Sequence, residues 1–196
     1  MTGPMIWALA VGYLLGSIPF GLLLTRSAGK GDIRQIGSGN IGATNVLRTG
    51  SKGLAAATLL LDALKGAVAV IVAQRLWPEG VVYAATGAFI GHLYPVWLKF
   101  KGGKGVATLL GILVPLMPMA ALVYAVVWIG LLLTVRISSV SGMAAAVSAP
   151  LSAILFDQRQ YFPMLLGFAV LLLWKHQENI RRLARGEEPR VGKKKA

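Results

Sequence analysis

Six long apolar runs occupy most of this 196-residue chain, and they constrain its fold more than any other feature. A helix needs about 20 apolar residues to cross the hydrocarbon core of a bilayer. The chain is 56% hydrophobic and only 14% charged, a composition that is rare in soluble domains. The pattern therefore predicts an all-α integral membrane protein. The runs cover residues 4–25, 54–76, 81–98, 105–135, 139–156 and 162–175.

The fourth run carries no charged residue and is too long for one ordinary span. Pro115 and Pro118 lie near its middle, where proline removes a backbone donor and favours a break. We therefore predict two short helices there, 105–117 and 119–135. This division gives seven transmembrane helices in all.

The distribution of basic residues supports seven spans with a periplasmic or extracellular N-terminus and a cytoplasmic C-terminus. In that topology 17 Lys and Arg side chains face the cytoplasm and two, Arg75 and Arg159, face the other side. This is a strong positive-inside bias. Lys65 stays within the second span, three residues from Asp62 and on the same helical face. We interpret Asp62 and Lys65 as an ion pair that fixes helix packing, with orientation of the preceding loop as the alternative.

The net charge of +13 is compatible with nucleic acid, an anionic membrane surface or an acidic substrate. Nucleic acid is the weakest of the three, because the basic residues lie in short gaps between spans and in a tail. The chain has no cysteine and two histidines, which excludes a thiolate nucleophile, disulfides and an ordinary zinc site. The predicted organisation is one membrane-embedded domain, 1–185, followed by a basic cytoplasmic tail, 186–196.

Two glycine-rich polar segments interrupt the apolar runs and carry the strongest functional signal. The first reads Gly-Ser-Gly-Asn-Ile-Gly-Ala-Thr-Asn-Val-Leu-Arg. Glycines let backbone N–H groups approach an anion, and Ser, Asn and Arg side chains add donors. A polar turn that caps the next helix would explain Ser38 and one glycine, but not the other donors together. We interpret the segment as an anion site made by Gly37, Ser38, Gly39, Asn40, Asn45 and Arg48.

The second segment contains Gly102, Gly103, Lys104 and Gly105, directly before an apolar helix. The N-terminus of a helix carries a partial positive charge, so exposed N–H groups beside Lys104 are expected to form an anion cradle. A flexible cytoplasmic turn is the alternative interpretation. The segment lacks the spacing of a nucleotide P-loop, and ATP hydrolysis is therefore not supported.

Further polar residues lie where the late spans begin and end. His176 and Asn179 are three residues apart at the end of the last span, at a depth where polar side chains need partners. Ser138, Ser139 and Ser141 begin the sixth span, and at least one of them is expected to cap it. His92 lies within the third span, where we interpret it as a neutral, hydrogen-bonded histidine, with catalysis the less favoured alternative.

Together these segments resemble the bacterial acyl-phosphate-dependent glycerol-3-phosphate acyltransferases, the PlsY family. The resemblance covers nearly the whole chain and includes Gly16-Ser-Ile-Pro19, Asp62-Ala-Leu-Lys-Gly66 and Gly91-His-Leu-Tyr-Pro95. It implies a seven-helix enzyme of the bacterial inner membrane with its active site on the cytoplasmic face. The implied reaction transfers an acyl group from acyl phosphate to the 1-hydroxyl of sn-glycerol 3-phosphate. Its products are lysophosphatidic acid and inorganic phosphate, and it is the first committed step of phospholipid synthesis.

The resemblance also implies residue roles. It places Ser38 and Arg48 in the first essential motif, makes Gly102 to Gly105 the glycerol-phosphate-binding motif, and gives Glu178 of the third motif a structural role. Ser139 is the serine that matches by family position. The residues expected to be catalytic are Ser38, Arg48, Lys104, His176 and Asn179. Those expected to bind substrate are Gly37, Gly39, Asn40, Asn45, Gly102, Gly103, Gly105 and Ser139.

Acyl phosphate is already activated, so positioning and charge stabilisation can supply most of the catalysis. We expect direct attack by the glycerol hydroxyl, with its proton passing to a substrate phosphate oxygen or, as the less favoured route, to His176. We expect no cofactor and no metal, because Arg48, Lys104 and backbone donors can stabilise the charge. The expected partners are acyl phosphate, glycerol 3-phosphate and membrane lipids, without nucleic acid, and the protein is expected to be a monomer.

Two other classes of function fit part of the pattern. A transporter of a phosphorylated metabolite would also need phosphate-binding loops, but transporters place such residues near the membrane midplane, often in inverted repeats. A scaffold for anionic lipids would explain the basic tail but not the glycine-rich loops. Phosphate release from acyl phosphate separates the enzyme from both alternatives.

Overall fold

The computed structural model describes residues 1–192, and every regular element in that range is helical. Lys193, Lys194 and Lys195, three of the predicted cytoplasmic charges, lie outside the described residues. The chain divides into two compact units, residues 1–116 and 117–196. Four segments within the described part are long and apolar enough to cross a membrane: Gly3–Ser27, Lys52–Leu76, Pro78–Leu98 and Ser138–Leu155.

The first unit contains six α-helices joined by short turns. They are α1 (Gly3–Gly16), α2 (Phe20–Ser27), α3 (Ala43–Leu47), α4 (Lys52–Leu76), α5 (Val81–Leu93) and α6 (Val106–Leu116). The predicted continuous first span, 4–25, is wrong in one respect, because the helix breaks between Gly16 and Phe20. Pro19 explains the break, since its ring excludes the carbonyl four residues earlier and it has no N–H to donate.

Glycines bring the helices of the first unit into backbone contact. Gly12 and Gly16 of α1 lie against the backbones of Ala84 and Ala88 in α5. In return, Gly91 of α5 lies against the backbone of α1 near Tyr13 and Ser17, with an added Cβ only 2.9 Å from the Ser17 amide nitrogen. Small residues spaced by four allow this close approach, which drives helix association in lipid.

The same device joins α4 to α6. Gly66 of α4 lies against the carbonyl of Thr108, and Gly111 of α6 lies against the backbone of Ala63. The predicted ion pair is confirmed on the buried face of α4, where Lys65 Nζ lies 2.7 Å from Asp62 Oδ1. Pairing reduces the cost of placing either charge in hydrocarbon.

The predicted division of the long apolar run is confirmed. Helix α6 ends at Leu116, and α7 begins at Pro118. A proline can occupy the first position of a helix without loss of an intrahelical hydrogen bond, because the N–H at that position has no partner within the helix. The second unit then contains α7 (Pro118–Thr134), α8 (Ser138–Leu155), α9 (Phe162–Lys175) and α10 (Gln177–Ala184). Helix α8 packs between α7 and α9 through a buried face of alanines and serines.

Candidate active site

Asn45 organises the first glycine-rich loop. Its side-chain amide donates to the carbonyl oxygens of Ile33 at 2.7 Å and Asn40 at 2.8 Å. Its Oδ1 accepts from the Ser38 amide at 3.2 Å. Asn45 is buried, and both of its N–H groups are occupied by backbone acceptors. The structure therefore gives Asn45 a role in shaping the loop rather than in donating to a ligand.

The same loop brings Arg48 next to Ser38. Gly37 has a positive φ of 56°, and a Cβ on it would fall 2.6 Å from Arg48 Cδ. Because only glycine leaves that space, the arginine side chain can lie across the loop directly before Ser38. Ser38 and Arg48 are both exposed. The Asn40 side chain stabilises a turn, because its Oδ1 accepts a hydrogen bond from the Gly42 amide at 2.9 Å.

Apolar side chains fix this polar loop to the helices. Ile33, Ile41 and Val46 are fully buried and pack with Leu22 and Ala55. Because Ile33 stands before Gly37 and Gly39 while Ile41 and Val46 follow them, both ends of the loop are anchored while its tip stays at the surface. The sequence therefore holds an exposed donor group on a buried apolar base.

One carboxylate, held between two arginines, precedes the loop. Asp32 pairs with Arg34 at 2.6 Å and with Arg26 at 2.8 Å. The side-chain hydrogen bond from Arg34 holds the pKa of Asp32 far below its ordinary value. The reciprocal bond raises the pKa of Arg34. Both basic groups are thereby directed to a carboxylate of the chain itself.

The second glycine-rich loop folds back on the end of α5. The amide of Gly102 donates to the Leu93 carbonyl at 3.1 Å, and that of Gly103 donates to the His92 carbonyl at 2.9 Å. The expectation that these two glycines present exposed N–H groups to a ligand is therefore corrected. Gly105, with φ of 91°, lies against the Phe89 ring. Lys104 and the start of α6 remain as the predicted anion-binding part of this loop.

His176 is buried at the junction between α9 and α10. Its Nδ1 lies 2.8 Å from the carbonyl oxygen of Leu172. A carbonyl oxygen can only accept, so Nδ1 carries the hydrogen, and in the neutral ring Nε2 is the acceptor nitrogen. In this tautomer, Nε2 is the nitrogen that can receive a proton.

Asn179, one turn later, donates to a carboxylate that sequence reasoning missed. Glu188 Oε1 accepts from Asn179 Nδ2 at 2.5 Å and from Ser139 Oγ at 2.7 Å. Its Oε2 accepts from Arg182 Nε at 2.7 Å. The Glu188 side chain is only 6% exposed. Burial raises the pKa of Glu188, but the hydrogen bonds from Asn179, Ser139 and Arg182 outweigh it, and the net pKa is lowered.

The cluster around Glu188 changes two expectations. Glu188 lies past the predicted domain boundary at residue 185, yet it joins α8 to α10. Glu178, to which the resemblance gives a structural role, is exposed and pairs with Arg181 at 2.7 Å, and this pair leaves that expectation unchanged. The expected serine cap is also wrong, because Ile137 precedes α8 without a side-chain cap and Ser141 donates to the Ile137 carbonyl. The sequence signal for Glu188 is Gly186, two residues before it. Gly186 has a positive φ, and the chain turns back there.

Comparison with known proteins relates this arrangement to one group. The family model for glycerol-3-phosphate acyltransferase matches residues 6–186. A glycerol-3-phosphate acyltransferase of Mesorhizobium japonicum is 56% identical over 99% of this chain and 100% of its own length. The chain belongs to the glycerol-3-phosphate acyltransferase family. A family member from Rhodopseudomonas palustris is also 56% identical, over the full length of both chains.

The solved structure of a family member agrees in fold. The integral membrane glycerol 3-phosphate acyltransferase PlsY in its glycerol 3-phosphate form is 36% identical, with a TM-score of 0.91 over 97% of this chain and 96% of that one. PlsY in its lysophosphatidic acid form gives a TM-score of 0.89 at 35% identity. The family membership, the match to an integral membrane structure and the apolar helices together make the chain a multi-pass membrane acyltransferase of phospholipid synthesis.

Proposed function

We propose that this acyltransferase takes its acyl group from acyl phosphate and transfers it to the 1-hydroxyl of sn-glycerol 3-phosphate. The products are lysophosphatidic acid and inorganic phosphate. The observation that carries the proposal is the presence of two glycine-rich loops with nearby cations in a family defined by glycerol 3-phosphate. Two phosphate-bearing substrates account for two such loops. The forms of PlsY with glycerol 3-phosphate and lysophosphatidic acid support the acceptor and the product.

In this mechanism the protein positions groups and stabilises charge. Arg48, beside Ser38 on the exposed loop, neutralises a substrate phosphate. Lys104 at the start of α6 binds the second phosphate. The glycerol hydroxyl attacks the carbonyl carbon, the C–O bond to phosphate breaks, and phosphate leaves with the electron pair.

The hydroxyl proton passes to a phosphate oxygen or to Nε2 of His176, the acceptor nitrogen of the neutral ring. Glu188 fixes Asn179, which lies one turn after His176, and Ser139, which lies at the start of α8. Both side chains orient groups of the acceptor. No cofactor or metal enters this scheme, and the protein acts as a monomer.

We further propose seven spans in one membrane domain of the bacterial inner membrane. The N-terminus is periplasmic, and the glycine-rich loops and the active site face the cytoplasm. The 17 to 2 distribution of basic residues supports this topology. It also gives glycerol 3-phosphate, a soluble anion, access from the aqueous side, while the acyl chain stays in lipid.

Purified protein in detergent tests the reaction. Phosphate release from palmitoyl phosphate is expected only when glycerol 3-phosphate is present, with lysophosphatidic acid formed in equal amount by mass spectrometry. Acyl-coenzyme A offered instead tests the donor. Transfer from acyl-coenzyme A but not from acyl phosphate would overturn the donor assignment, and absence of any acyl transfer would overturn the function.

A further inference from the structure

We propose that His92 is a positioning residue for the loop from Gly102 to Gly105, with the buried Asp62–Lys65 ion pair packed behind its imidazole. This inference rests on the proposed function, in which that loop binds the phosphate of glycerol 3-phosphate. It gives His92 a specific part in substrate affinity, beyond filling space in the helix bundle.

The imidazole of His92 lies directly against Gly103. A Cβ built on Gly103 would meet Nε2, Cε1 at 2.6 Å and Cδ2 at 2.9 Å, so the three nearest atoms all belong to the His92 ring. The φ of Gly103 lies outside the left-handed region. The imidazole, and not the backbone conformation, is therefore what requires glycine at this position.

The two residues are also joined through the backbone, because the Gly103 amide donates to the His92 carbonyl oxygen at 2.9 Å. Gly103 is buried and its neighbour Lys104 is partly buried. Since Lys104 follows Gly103 directly, any shift of Gly103 displaces the ammonium group and the first turn of α6. The ring thus sets where the predicted phosphate-binding groups lie.

A buried ion pair stands behind the imidazole. His92 Nδ1 lies 3.7 Å from Asp62 Oδ1, and the same oxygen pairs with Lys65 Nζ at 2.7 Å. Lys65 Nζ also donates to the Ile18 carbonyl at 2.8 Å, in the break between α1 and α2. Asp62, Lys65 and His92 are each no more than 4% exposed.

This arrangement connects two helices and the break between α1 and α2 to one loop. Asp62 and Lys65 belong to α4, Ile18 lies in the break between α1 and α2, and His92 belongs to the last turn of α5. Ion pairs inside a membrane are costly and are kept where they fix a geometry or serve a function. Here the pair lies behind the imidazole that contacts Gly103. The interpretation of Asp62 and Lys65 as packing elements therefore extends to the substrate-binding loop.

A pair of variants and their combination tests the proposal. Gly103→Ala should raise the KM for glycerol 3-phosphate about tenfold to 100-fold, because a shift of about 1 Å can cost that much, while the KM for acyl phosphate stays unchanged. His92→Ala should also raise the KM for glycerol 3-phosphate. Because removing the ring opens the space for a Cβ, adding Gly103→Ala to His92→Ala should change the KM by no more than about twofold.

Controls separate positioning from simple loss of fold. Gly53→Ala is the matched control, since a Cβ there meets no atom within 4 Å, and it should leave both KM values unchanged. His92→Gln keeps an amide beside Gly103 and should show an intermediate KM, which also serves if His92→Ala is not recovered folded. Protection of each variant against thermal unfolding by glycerol 3-phosphate reports binding without turnover.

The outcomes distinguish the inference from the function. If the wild-type protein neither binds nor acylates glycerol 3-phosphate, the proposed function fails and the inference fails with it. If the wild type is active and the effects of Gly103→Ala and His92→Ala on the KM simply multiply, the function stands and the inference is overturned. Variants that lose thermal stability but keep the wild-type KM would likewise overturn it.

Discussion

The loop from Gly37 to Arg48 and the cluster around Glu188 both gather polar side chains, but the bonding within them differs. In the loop, a buried asparagine satisfies the backbone and leaves Ser38 and Arg48 exposed at the surface. In the cluster, the donors of Ser139, Asn179 and Arg182 all point at one buried carboxylate. The first arrangement presents cationic and hydroxyl donors to a ligand. The second uses an internal anion to fix donors in place.

This difference predicts different consequences of mutation. Variants of the exposed Ser38 and Arg48 side chains should change activity more than stability, because these side chains support little of the fold. Variants at the carboxylate should change stability and activity together, because a buried charged network carries both.

The largest effect is expected at Arg48. Arg48→Ala removes a cation proposed to stabilise the phosphate, and it should lower kcat/KM about 100- to 1,000-fold with little change in melting temperature. Arg48→Lys keeps the charge but loses the bidentate geometry. Its kcat/KM should lie between the values of the wild type and of Arg48→Ala. Initial-rate kinetics with each substrate varied would measure this. A loss of melting temperature equal to that of a core variant would show that Arg48 is structural.

Asn45 offers the next largest effect and sharpens the distinction within the loop. Asn45→Leu preserves size but leaves buried backbone groups without partners, at a cost of about 1–3 kcal/mol each. We expect lower thermal stability and strongly reduced activity. Asn45→Asp keeps the acceptor for the Ser38 amide and should be milder. Equal stability of wild type and Asn45→Leu in thermal unfolding would contradict the role given to this amide.

Glu188 and Glu178 form a matched pair of carboxylates. Glu188→Ala leaves three donors without their acceptor and should lower the free energy of unfolding by about 2 kcal/mol and reduce kcat. Glu178→Ala removes an exposed pair with Arg181 and should cost less than about 0.5 kcal/mol. Thermal unfolding in detergent compares the two. Similar costs for both would remove the special role of Glu188.

The smallest effect is the pH dependence of that contact. The pKa of Glu188 is lowered in the fold, so its stabilising contribution is complete above the ordinary glutamate pKa and is lost as the pH falls through the folded value. The stability difference between wild type and Glu188→Gln should therefore be constant above about pH 5 and shrink in acid. A difference that grows on acidification would have the wrong sign.

Much of the fold could be predicted because apolar length and charge placement are local properties of the sequence. The two prolines that divide the long run, and the Asp62–Lys65 pair, followed from residues close in the chain. The break after Gly16 was missed although Pro19 marks it, since hydropathy alone does not register a proline within an apolar run.

The site was harder to predict in detail because hydrogen-bond partners lie far apart in sequence. Nothing near Gly103 shows that its amide is taken by His92, eleven positions earlier. Glu188 sits in a charged tail whose composition is typical of a solvated segment, and its three donors come from α8 and α10. Spacing therefore identified which segments matter, while the role of each group depended on contacts that only folding creates.

In the proposed mechanism, catalysis comes from positioning two phosphate-bearing substrates together, without an acyl-enzyme. The direct measurement is rapid-quench phosphate release from acyl phosphate with the purified protein and no glycerol 3-phosphate. We predict no burst of phosphate, and intersecting initial-rate plots when both substrates are varied. A burst equal in amount to the enzyme, with an acylated protein detected by mass spectrometry, would contradict direct transfer between the two substrates.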